Sequence, residues 1–322
     1  MPVLELTPYG LYCPAGDFHV DPHRAVPRAI ITHGHSDHAR RGSSSYVCHH
    51  HSGPILAARL GEDCPRQTVA YGECLTIGRA RVSLHPAGHV LGSAQIRVEV
   101  AGEVWVVSGD YKCQSDLTCA DFEPVKCHTF ITESTFALPI YQWRPPSEVF
   151  AEINNWWRAN QAAGKTSVLF AYTLGKAQRL IAGVDHSIGP MAVHDSVAEL
   201  LPAYHAAGIP LPPTLPLTPD NIVKLKGNGL IIAPQSAFTE LSVFAPLATG
   251  SASGWQRVPG RRTSPLVQRG FVLSDHADWP GLLEAIAATG ATSIGVTHGY
   301  TAQLVRYLRE VKDLDAWTVG ET

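Results

Sequence analysis

Six residues near the N-terminus, His33-Gly34-His35-Ser36-Asp37-His38, constrain this chain more than any other stretch. Four of the six can ligate a metal ion, and the glycine and serine between them allow the chain to turn. The stretch follows a short apolar run, residues 29–32, which the pattern predicts to be a buried strand ending in a loop. No regular helix or strand aims all four side chains at one point, because positions 33 and 35 lie about 200° apart around a helix.

We therefore expect a turn that leads into a helix. His33 and His35 would then reach one metal ion from the loop, while Asp37 and His38 would reach a second from the first helical turn. Imidazole nitrogens and carboxylate oxygens without thiolate are typical of zinc or manganese in hydrolytic sites. A histidine-rich surface loop is the alternative interpretation.

Further candidate ligands lie where other predicted strands end. His89 follows the predicted strand 81–85 in a glycine-flanked turn, and Asp110, which can bridge two cations, ends the apolar run 103–107. Polar side chains at strand ends of a layered α/β protein collect along one rim, where sites form. The same rule applies to three later residues, Glu133, His276 and His298. The triplet His49-His50-His51 has no such framing, and we expect it to be a solvated turn.

Composition and charge exclude several classes of protein. No apolar run approaches the ~20 residues of a membrane span, and the N-terminus has no basic stretch followed by an apolar one, so we expect a cytoplasmic protein without membrane contact. The seven cysteines form no CxxC pair, which indicates a reducing compartment rather than disulfides. A net charge of −3 argues against avid, non-specific binding of long nucleic acid.

The pattern along the chain changes twice. Short predicted strands dominate up to about residue 135, whereas residues 146–207 alternate helices and strands in the manner of a small parallel sheet, ending in a predicted helix over 195–207. Five prolines within 210–219 predict an irregular connection. Strand–helix alternation resumes after about residue 270, and Thr301 is the expected N-cap of the last helix.

The order of these residues resembles a known superfamily. The series of ligands resembles that of the metallo-β-lactamase superfamily: His33-x-His35-x-Asp37-His38, then His89, then Asp110. Glu133-Ser134-Thr135, Ser274-x-His276-Ala277-Asp278 and Thr297-His298-Gly299 resemble motifs A, B and C of its β-CASP nuclease branch. The phrases at 6–13, 85–94 and 105–112 are similar, more narrowly, to the bacterial ligase-associated DNA exonucleases. The resemblance covers nearly the whole chain.

The resemblance implies an α/β fold of a particular kind, a metallo-β-lactamase αββα sandwich with an inserted β-CASP cap domain of parallel α/β type. Residues 1–138 would form the first part of the metallo-β-lactamase domain, 139–262 the β-CASP cap domain, and 263–322 the second part. These bounds agree with the changes of pattern near residues 140 and 265.

The resemblance also implies two divalent metal ions, zinc or manganese. The ligands of one would be His33, His35, His89 and Asp110, and those of the other would be Asp37, His38, the bridging Asp110 and His298. Asp17, at the end of an early strand, looks like the first-motif aspartate of the family, which orients the ligands without touching the metal.

Three of these residues would carry the chemistry. We expect His276 to protonate the departing oxygen, with Glu133 accepting its other ring N–H; Asp37 would act as both ligand and catalytic residue. The alternatives are that His276 ligates metal or only satisfies a buried carboxylate. For substrate binding we single out Ser274 and the basic stretch of Arg257, Arg261, Arg262 and Arg269 beside Trp255, since arginine contacts phosphate and an aromatic ring can stack on a base. A solvated loop is the alternative for that stretch.

The resemblance implies a nuclease that depends on two metal ions and hydrolyses the phosphodiester bonds of DNA. It would be an exonuclease that trims single-stranded DNA or strand ends in repair, alongside a DNA ligase and a helicase. A ribonuclease of the same fold is the alternative, because His298 at motif C is the residue that RNA-cleaving members carry. A small-molecule hydrolase and a catalytically idle binding module are further alternatives, against which the inserted domain and the complete ligand set argue.

Overall fold

The computed structural model describes residues 2–258 and 265–320. The chain divides into two compact units, unit 1 (Met1–Tyr141 with His276–Thr322) and unit 2 (Gln142–Asp275). The boundaries expected from the sequence lay at 138/139 and 262/263. The second boundary lies later in the structure because the strand Arg269–Phe271 pairs with a strand of unit 2.

One sheet of unit 1 contains six strands, which lie side by side in chain order. The first three pair antiparallel, and the third to the sixth pair in parallel. Helix α1 (Ser52–Leu60) lies between the fifth and sixth strands in the chain. The strands are β1 (Glu5–Thr7), β2 (Gly10–Cys13), β3 (Phe18–Val20), β4 (Ala29–Ile30), β5 (Tyr46–His49) and β6 (Arg66–Val69).

The other sheet of unit 1 contains seven strands, in the order β19-β18-β11-β10-β9-β8-β7. Its β7–β10 portion is an antiparallel meander, and the remaining pairs are parallel. Helix α7 (Trp279–Thr289) precedes β18 in the chain, and α8 (Thr301–Lys312) connects β18 to β19. The strands are β7 (Cys74–Ile77), β8 (Ala80–Pro86), β9 (Ala94–Val100), β10 (Glu103–Val107), β11 (Thr129–Ser134), β18 (Ser293–Gly299) and β19 (Asp315–Thr318).

The alternation of side chains along the strands divides the core of unit 1 into layers. Ile30 belongs to a cluster that takes side chains from both sheets, including Leu84 of β8. Its neighbours Ala29 and Ile31 point to the opposite face and pack with Leu56 of α1, because successive strand residues face opposite sides. A further cluster joins residues of the seven-stranded sheet to α7 and α8.

Unit 2 contains one parallel six-stranded sheet, in the order β14-β13-β15-β12-β16-β17. Two of its central strands are buried along their whole length, as is typical of parallel sheets covered on both faces. The strands are β12 (Thr166–Phe170), β13 (Met191–Val193), β14 (Leu215–Pro216), β15 (Leu230–Ala233), β16 (Leu247–Ala252) and β17 (Arg269–Phe271). The helices are α2 (Pro146–Ala162), α3 (Lys176–Gly183), α4 (Asp195–Ala198), α5 (Leu201–Ala206) and α6 (Pro219–Leu225), with 3-10 helices at Gln235–Phe244 and Gly254–Arg257.

These elements confirm the predicted α/β class, with local corrections. The single helix expected over 195–207 is two short helices, α4 and α5, because Pro202 in the first turn of α5 cannot donate a backbone hydrogen bond to the preceding turn. The N-cap of α8 is Tyr300, one residue before the expected Thr301. Within the described ranges, no helix is both long and apolar enough to cross a membrane.

Candidate metal centre

The loop that carries the histidine motif follows β4 and remains a loop. The amide of Ala39 donates to the carbonyl oxygen of His35 at 2.8 Å, which closes a single turn. The helix expected from Asp37 onwards is absent from this described segment, so that prediction is wrong. Gly42 has a positive φ of 100°, and β5 begins four residues later, which leaves too few residues for a helix.

Four side chains from three separate segments converge beside this loop. One donor atom of each of His33, His35, His89 and Asp110 lies within 4.8 Å of the others. His33 Nε2 lies 3.0 Å from His35 Nδ1, and His89 Nε2 lies 3.1 Å from the same atom. Asp110 Oδ2 lies 3.5 Å from His33 Nε2 and 3.7 Å from His89 Nε2.

This spacing fits a metal ion. Four ligands at about 2.0–2.1 Å from a tetrahedrally coordinated zinc lie about 3.3 Å from one another, close to the separations found here. Burial and then the neighbouring His38 and His89 lower the pKa of His33 well below its ordinary value, which favours the neutral imidazole that a metal binds. Burial by itself raises the pKa of Asp110, but the surrounding histidines lower it overall, so this carboxylate is ionised.

The glycine before Asp110 allows the Asp110 side chain to reach the three histidines. Gly109 has a positive φ of 57°, a conformation that glycine adopts readily. A Cβ atom at this position would lie 2.6 Å from Thr32 Cβ. The backbone after β10 can therefore approach Thr32, next to His33, only with glycine at position 109.

The structure does not support Asp17 as the orienting aspartate, because Asp21 rather than Asp17 contacts His38. Asp21 Oδ2 lies 2.7 Å from His38 Nδ1, and Asp21 Oδ1 accepts from the amide of Thr32 at 2.8 Å. Asp17 instead lies exposed in the turn between β2 and β3, where Tyr12 Oη donates to it at 2.9 Å. Asp21 also directly follows a strand, β3, so the rule used for the other ligands could have found it.

The ring of His38 is oriented so that Nδ1 contacts Asp21 and Nε2 faces Asp110. Burial lowers the pKa of His38, but Asp110 and Asp21 together raise it to about 10. Nε2 lies 3.5 Å from Asp110 Oδ2 and 3.8 Å from Asp37 Oδ2. It has no hydrogen-bond partner among the described residues. A metal ion bound here would displace the Nε2 proton, so a buried nitrogen that faces two carboxylates fits a metal ligand.

The expected second ligand set is assembled less tightly than the first. His298 is exposed, with a left-handed φ of 52°, and its ring centroid lies 5.4 Å from that of His38. Its Nδ1 lies 3.1 Å from Thr297 Oγ1. The described residues contain three groups of ligating side chains with donor atoms within 4.8 Å, and the set of Asp37, His38, Asp110 and His298 is not one of them.

His276 and Glu133 form a pair next to Asp110. His276 Nδ1 lies 2.9 Å and 3.0 Å from the two carboxylate oxygens of Glu133, so Nδ1 must donate. Glu133 is buried and also accepts from the amide of Tyr111 at 2.7 Å, which fixes its carboxylate. Donor atoms of Asp110, Glu133 and His276 lie within 4.8 Å of one another. The pair expected from the sequence is therefore brought to the metal-ligand cluster.

The expected substrate-binding residues are only partly described by the structure. Ser274 is buried in unit 2, and its carbonyl oxygen accepts from Arg179 Nη1. Arg257 is exposed in the 3-10 helix that contains Trp255. Arg261 and Arg262 lie outside the described residues.

The triplet His49-His50-His51 differs from the expected solvated turn. Only 1% of His49 is exposed, and its ring stacks on Tyr71 at a centroid distance of 3.5 Å. Burial, followed by the charges of His50 and His51, lowers the pKa of His49 from 6.5 to about 3. The expectation was therefore wrong for His49, whose ring packs against Tyr71 rather than facing solvent.

Comparisons with known proteins give several relatives, although no sequence-family model matches the chain. A probable DNA ligase of Opitutus terrae is 29% identical over 317 residues, which is 97% of this chain and 31% of the relative. The endoribonuclease ysh-1 of Neurospora crassa is 30% identical over 146 residues, 44% of this chain and 16% of the relative. Cleavage and polyadenylation specificity factor 73 of Drosophila melanogaster is 30% identical over 121 residues, 37% of this chain and 17% of the relative.

A solved structure, a protein of unknown function from Enterococcus faecalis V583, is similar in fold with a TM-score of 0.60. It is 12% identical, and the match covers 92% of this chain and 79% of that one. The chain spans about a third or less of the length of the curated relatives named above.

Fold and site together define an α/β protein with a buried histidine–aspartate cluster at the ends of its strands. The similarities to the DNA ligase relative and to the endoribonucleases define it further. These relatives support the resemblance to the metallo-β-lactamase superfamily, in its β-CASP branch, that the sequence motifs indicated.

Proposed function

We propose that the chain is a metal-dependent nuclease, and the observation that carries this proposal is the cluster around Asp110. Asp110 is shared by a four-donor group with the spacing of a metal site and by the Glu133–His276 pair. Hydrolysis of a phosphodiester requires a bound cation and a proton donor close together. This cluster contains ligands for the cation and a candidate for the proton donor.

We infer that the architecture is the metallo-β-lactamase αββα sandwich with an inserted β-CASP cap domain. Unit 1 supports this, since its two sheets share one core and carry helices on their outer faces. Unit 2 supports it by its parallel sheet, inserted between two parts of unit 1 in the chain.

Two divalent cations, zinc or manganese, would be held by His33, His35, His89 and Asp110 and by Asp37, His38, Asp110 and His298. When bound, they supply activation of water and neutralisation of phosphate charge. Asp21 holds the His38 ring, and Gly109 lets Asp110 approach both ligand sets. The ligand spacing supports the first site more strongly than the second.

His276 is the proton donor in this proposal. Glu133 accepts from Nδ1, so the second nitrogen, Nε2, is directed to the departing oxygen of the substrate. Protonation matters because an alkoxide is a poor leaving group at neutral pH. Glu133 keeps its orientation because the amide of Tyr111 holds one of its oxygens.

The proposed substrate is DNA, single-stranded or at strand ends, cleaved as an exonuclease in repair alongside a ligase and a helicase. The relative named probable DNA ligase supports this, because its similarity extends over 97% of the chain. RNA is the second candidate, favoured by the relatives named endoribonucleases and by His298 in motif C.

The role of His276 is tested by His276→Ala and Glu133→Gln in metal-loaded protein. We expect a loss of turnover of at least about 100-fold for His276→Ala, with bound metal unchanged by elemental analysis. Glu133→Gln should lose less activity, because an amide still accepts from Nδ1. A parallel loss of bound metal in His276→Ala would contradict the proton-donor role and make His276 a ligand.

The substrate is tested with end-labelled single-stranded DNA and RNA of matched sequence, with zinc or manganese added. Release of mononucleotides from DNA alone supports the DNA exonuclease, whereas cleavage of RNA alone supports the ribonuclease. Cleavage of neither by protein that has bound metal would contradict the nuclease proposal.

A further inference from the structure

A basic pocket lies on unit 1 beside the metal-ligand loop. Its volume is about 500 Å³, and its walls include four arginines, Arg24, Arg40, Arg41 and Arg59. None of the residues that line it carries a carboxylate. Such a concentration of positive charge is unexpected in a chain whose net charge is −3.

One wall of the pocket is the loop that carries the proposed metal ligands His33, His35, Asp37 and His38. Ser36, which lines the pocket, lies between His35 and Asp37 in the loop. Arg24 follows Asp21, the residue that holds His38, by three positions. A group bound in the pocket therefore lies beside the metal-ligand loop, entirely within unit 1.

Part of the pocket is held in place by hydrogen bonds. Arg41 Nε and Nη2 donate to the carbonyl oxygen of Arg59 at 3.1 Å and 2.7 Å. The carbonyl oxygen of Arg40 accepts from Tyr46 Oη at 2.6 Å. The backbone that carries two of the four arginines is thus tied to the rest of unit 1, while the side chains of Arg24 and Arg40 reach solvent.

We propose that this pocket binds backbone phosphates of the nucleic acid next to the scissile bond, an inference that rests on the proposed nuclease function. A guanidinium group matches the geometry of a phosphate and donates two hydrogen bonds to it. Four arginines around one pocket favour an anion with several phosphates over a single one. The strand continues past the metal site by way of Ser36, so successive phosphates enter the pocket.

The sequence did not point to this pocket, because its arginines come from three segments of the chain. The densest local stretch of arginines, at 257–269, drew the prediction instead. Only the fold brings positions 24, 40, 41 and 59 together.

The test compares Arg24→Ala/Arg40→Ala with Arg79→Ala, a control that removes one exposed positive charge of unit 1 outside the pocket. Wild type and both variants are loaded with metal and given a fluorescent single-stranded DNA of twelve nucleotides. Their affinity for this DNA is measured over a range of salt concentrations, and KM and kcat are measured for its cleavage. Thermal unfolding checks that each variant is folded.

We expect the double variant to weaken binding by about tenfold or more and to raise KM with little change in kcat. The slope of log affinity against log salt should fall by about 0.7 for each phosphate that the variant no longer neutralises. The control should retain both the affinity and the slope of the wild type. Affinity and slope of the double variant equal to those of Arg79→Ala would overturn the inference.

Two further outcomes separate this inference from the proposed function. If the wild type binds DNA through these arginines but cleaves no nucleic acid, the pocket stands and the nuclease proposal fails. If a polyglutamate peptide of equal charge binds the wild type as tightly as the DNA does, the pocket recognises acidic chains in general and the inference fails.

Discussion

At His38 the two ring nitrogens have different surroundings, and this difference defines the roles of the nearby carboxylates. Nδ1 lies against Asp21, while Nε2 faces Asp110 and Asp37. A hydrogen bond to the nitrogen that does not bind metal fixes the tautomer and the orientation of a histidine ligand. Asp21 therefore acts through His38, although its own carboxylate is no ligand in either set.

Replacing Asp21 should weaken metal binding without unfolding the protein. We expect Asp21→Asn to lower the affinity for zinc by about 10- to 100-fold, because the amide cannot both hold His38 Nδ1–H and polarise the ring as a carboxylate does. The measurement is competition for zinc with a chromophoric chelator. Asp17→Asn is the matched control: asparagine tolerates the left-handed φ of 50° at that position, and the affinity should stay as in the wild type. Equal losses in the two variants would contradict the role of Asp21.

His49 makes the stability of the protein depend on pH. Its pKa is lowered from 6.5 to about 3 by burial and by His50 and His51, so the unfolded chain takes up a proton first as the pH falls. Stability from this group is complete above pH 6.5 and is lost progressively as the pH falls towards 3.

The expected loss from His49 between pH 7 and 4.5 is on the order of 2 kcal/mol. Urea unfolding at both pH values, with EDTA present to exclude metal, measures it as the difference between the wild type and His49→Phe. Phenylalanine retains the stacking on Tyr71 but has no proton to bind. An identical pH dependence in the two proteins would show that His49 does not titrate as expected.

Among the structural elements, the turns at strand ends decide whether the ligands meet. The sequence predicted short strands up to about residue 135 and helix–strand alternation over residues 146–207, because hydrophobic periodicity is local. It gave no prediction for β1, β2, β6, β7, β14, β16 and β19, each of which is held by pairing with neighbouring strands of its sheet. It also extended a helix into the loop after Asp37, where Gly42 and the nearby start of β5 prevent one.

The turn at Gly109 should be intolerant of any side chain. Gly109→Ala meets both the left-handed φ and the overlap with Thr32, and we expect it to cost about 2–4 kcal/mol in free energy of unfolding. Gly102→Ala is the control, since Gly102 also has a positive φ, of 88°, but nothing lies within 4 Å of its Cβ position. Chemical unfolding without metal should show the control to be less destabilised by at least about 1 kcal/mol. Equal costs would mean that the contact with Thr32 relaxes freely.

On the scale of the whole molecule, the donor atoms of the cluster come from segments that are distant in the chain. Residues 33 and 35, residue 89 and residue 110 follow different strands of two sheets. The donors converge only when both sheets of unit 1 are folded, so a metal ion held by them would bind the folded state far better than the unfolded one and would stabilise it.

Metal binding should therefore raise the unfolding temperature of the wild type. At a metal concentration 100 times the Kd, the gain is about 2.7 kcal/mol for one site. Thermal unfolding in EDTA and in excess zinc measures the shift, and Asp110→Asn, which removes the carboxylate common to both ligand sets, should lose most of it. A shift of the same size in Asp110→Asn would place the stabilising metal elsewhere.

The sequence by itself identified most residues of the candidate site and the α/β class of the fold. The motif residues carry their own chemistry, and strand and helix periodicity is a local property. Only the tertiary structure decided that Asp21 rather than Asp17 holds His38, that His49 is buried, and that four dispersed arginines line one pocket. Each of these depends on which segments lie side by side, and that is set by the pairing of strands and the packing of two sheets around a common core rather than by neighbouring residues in the chain.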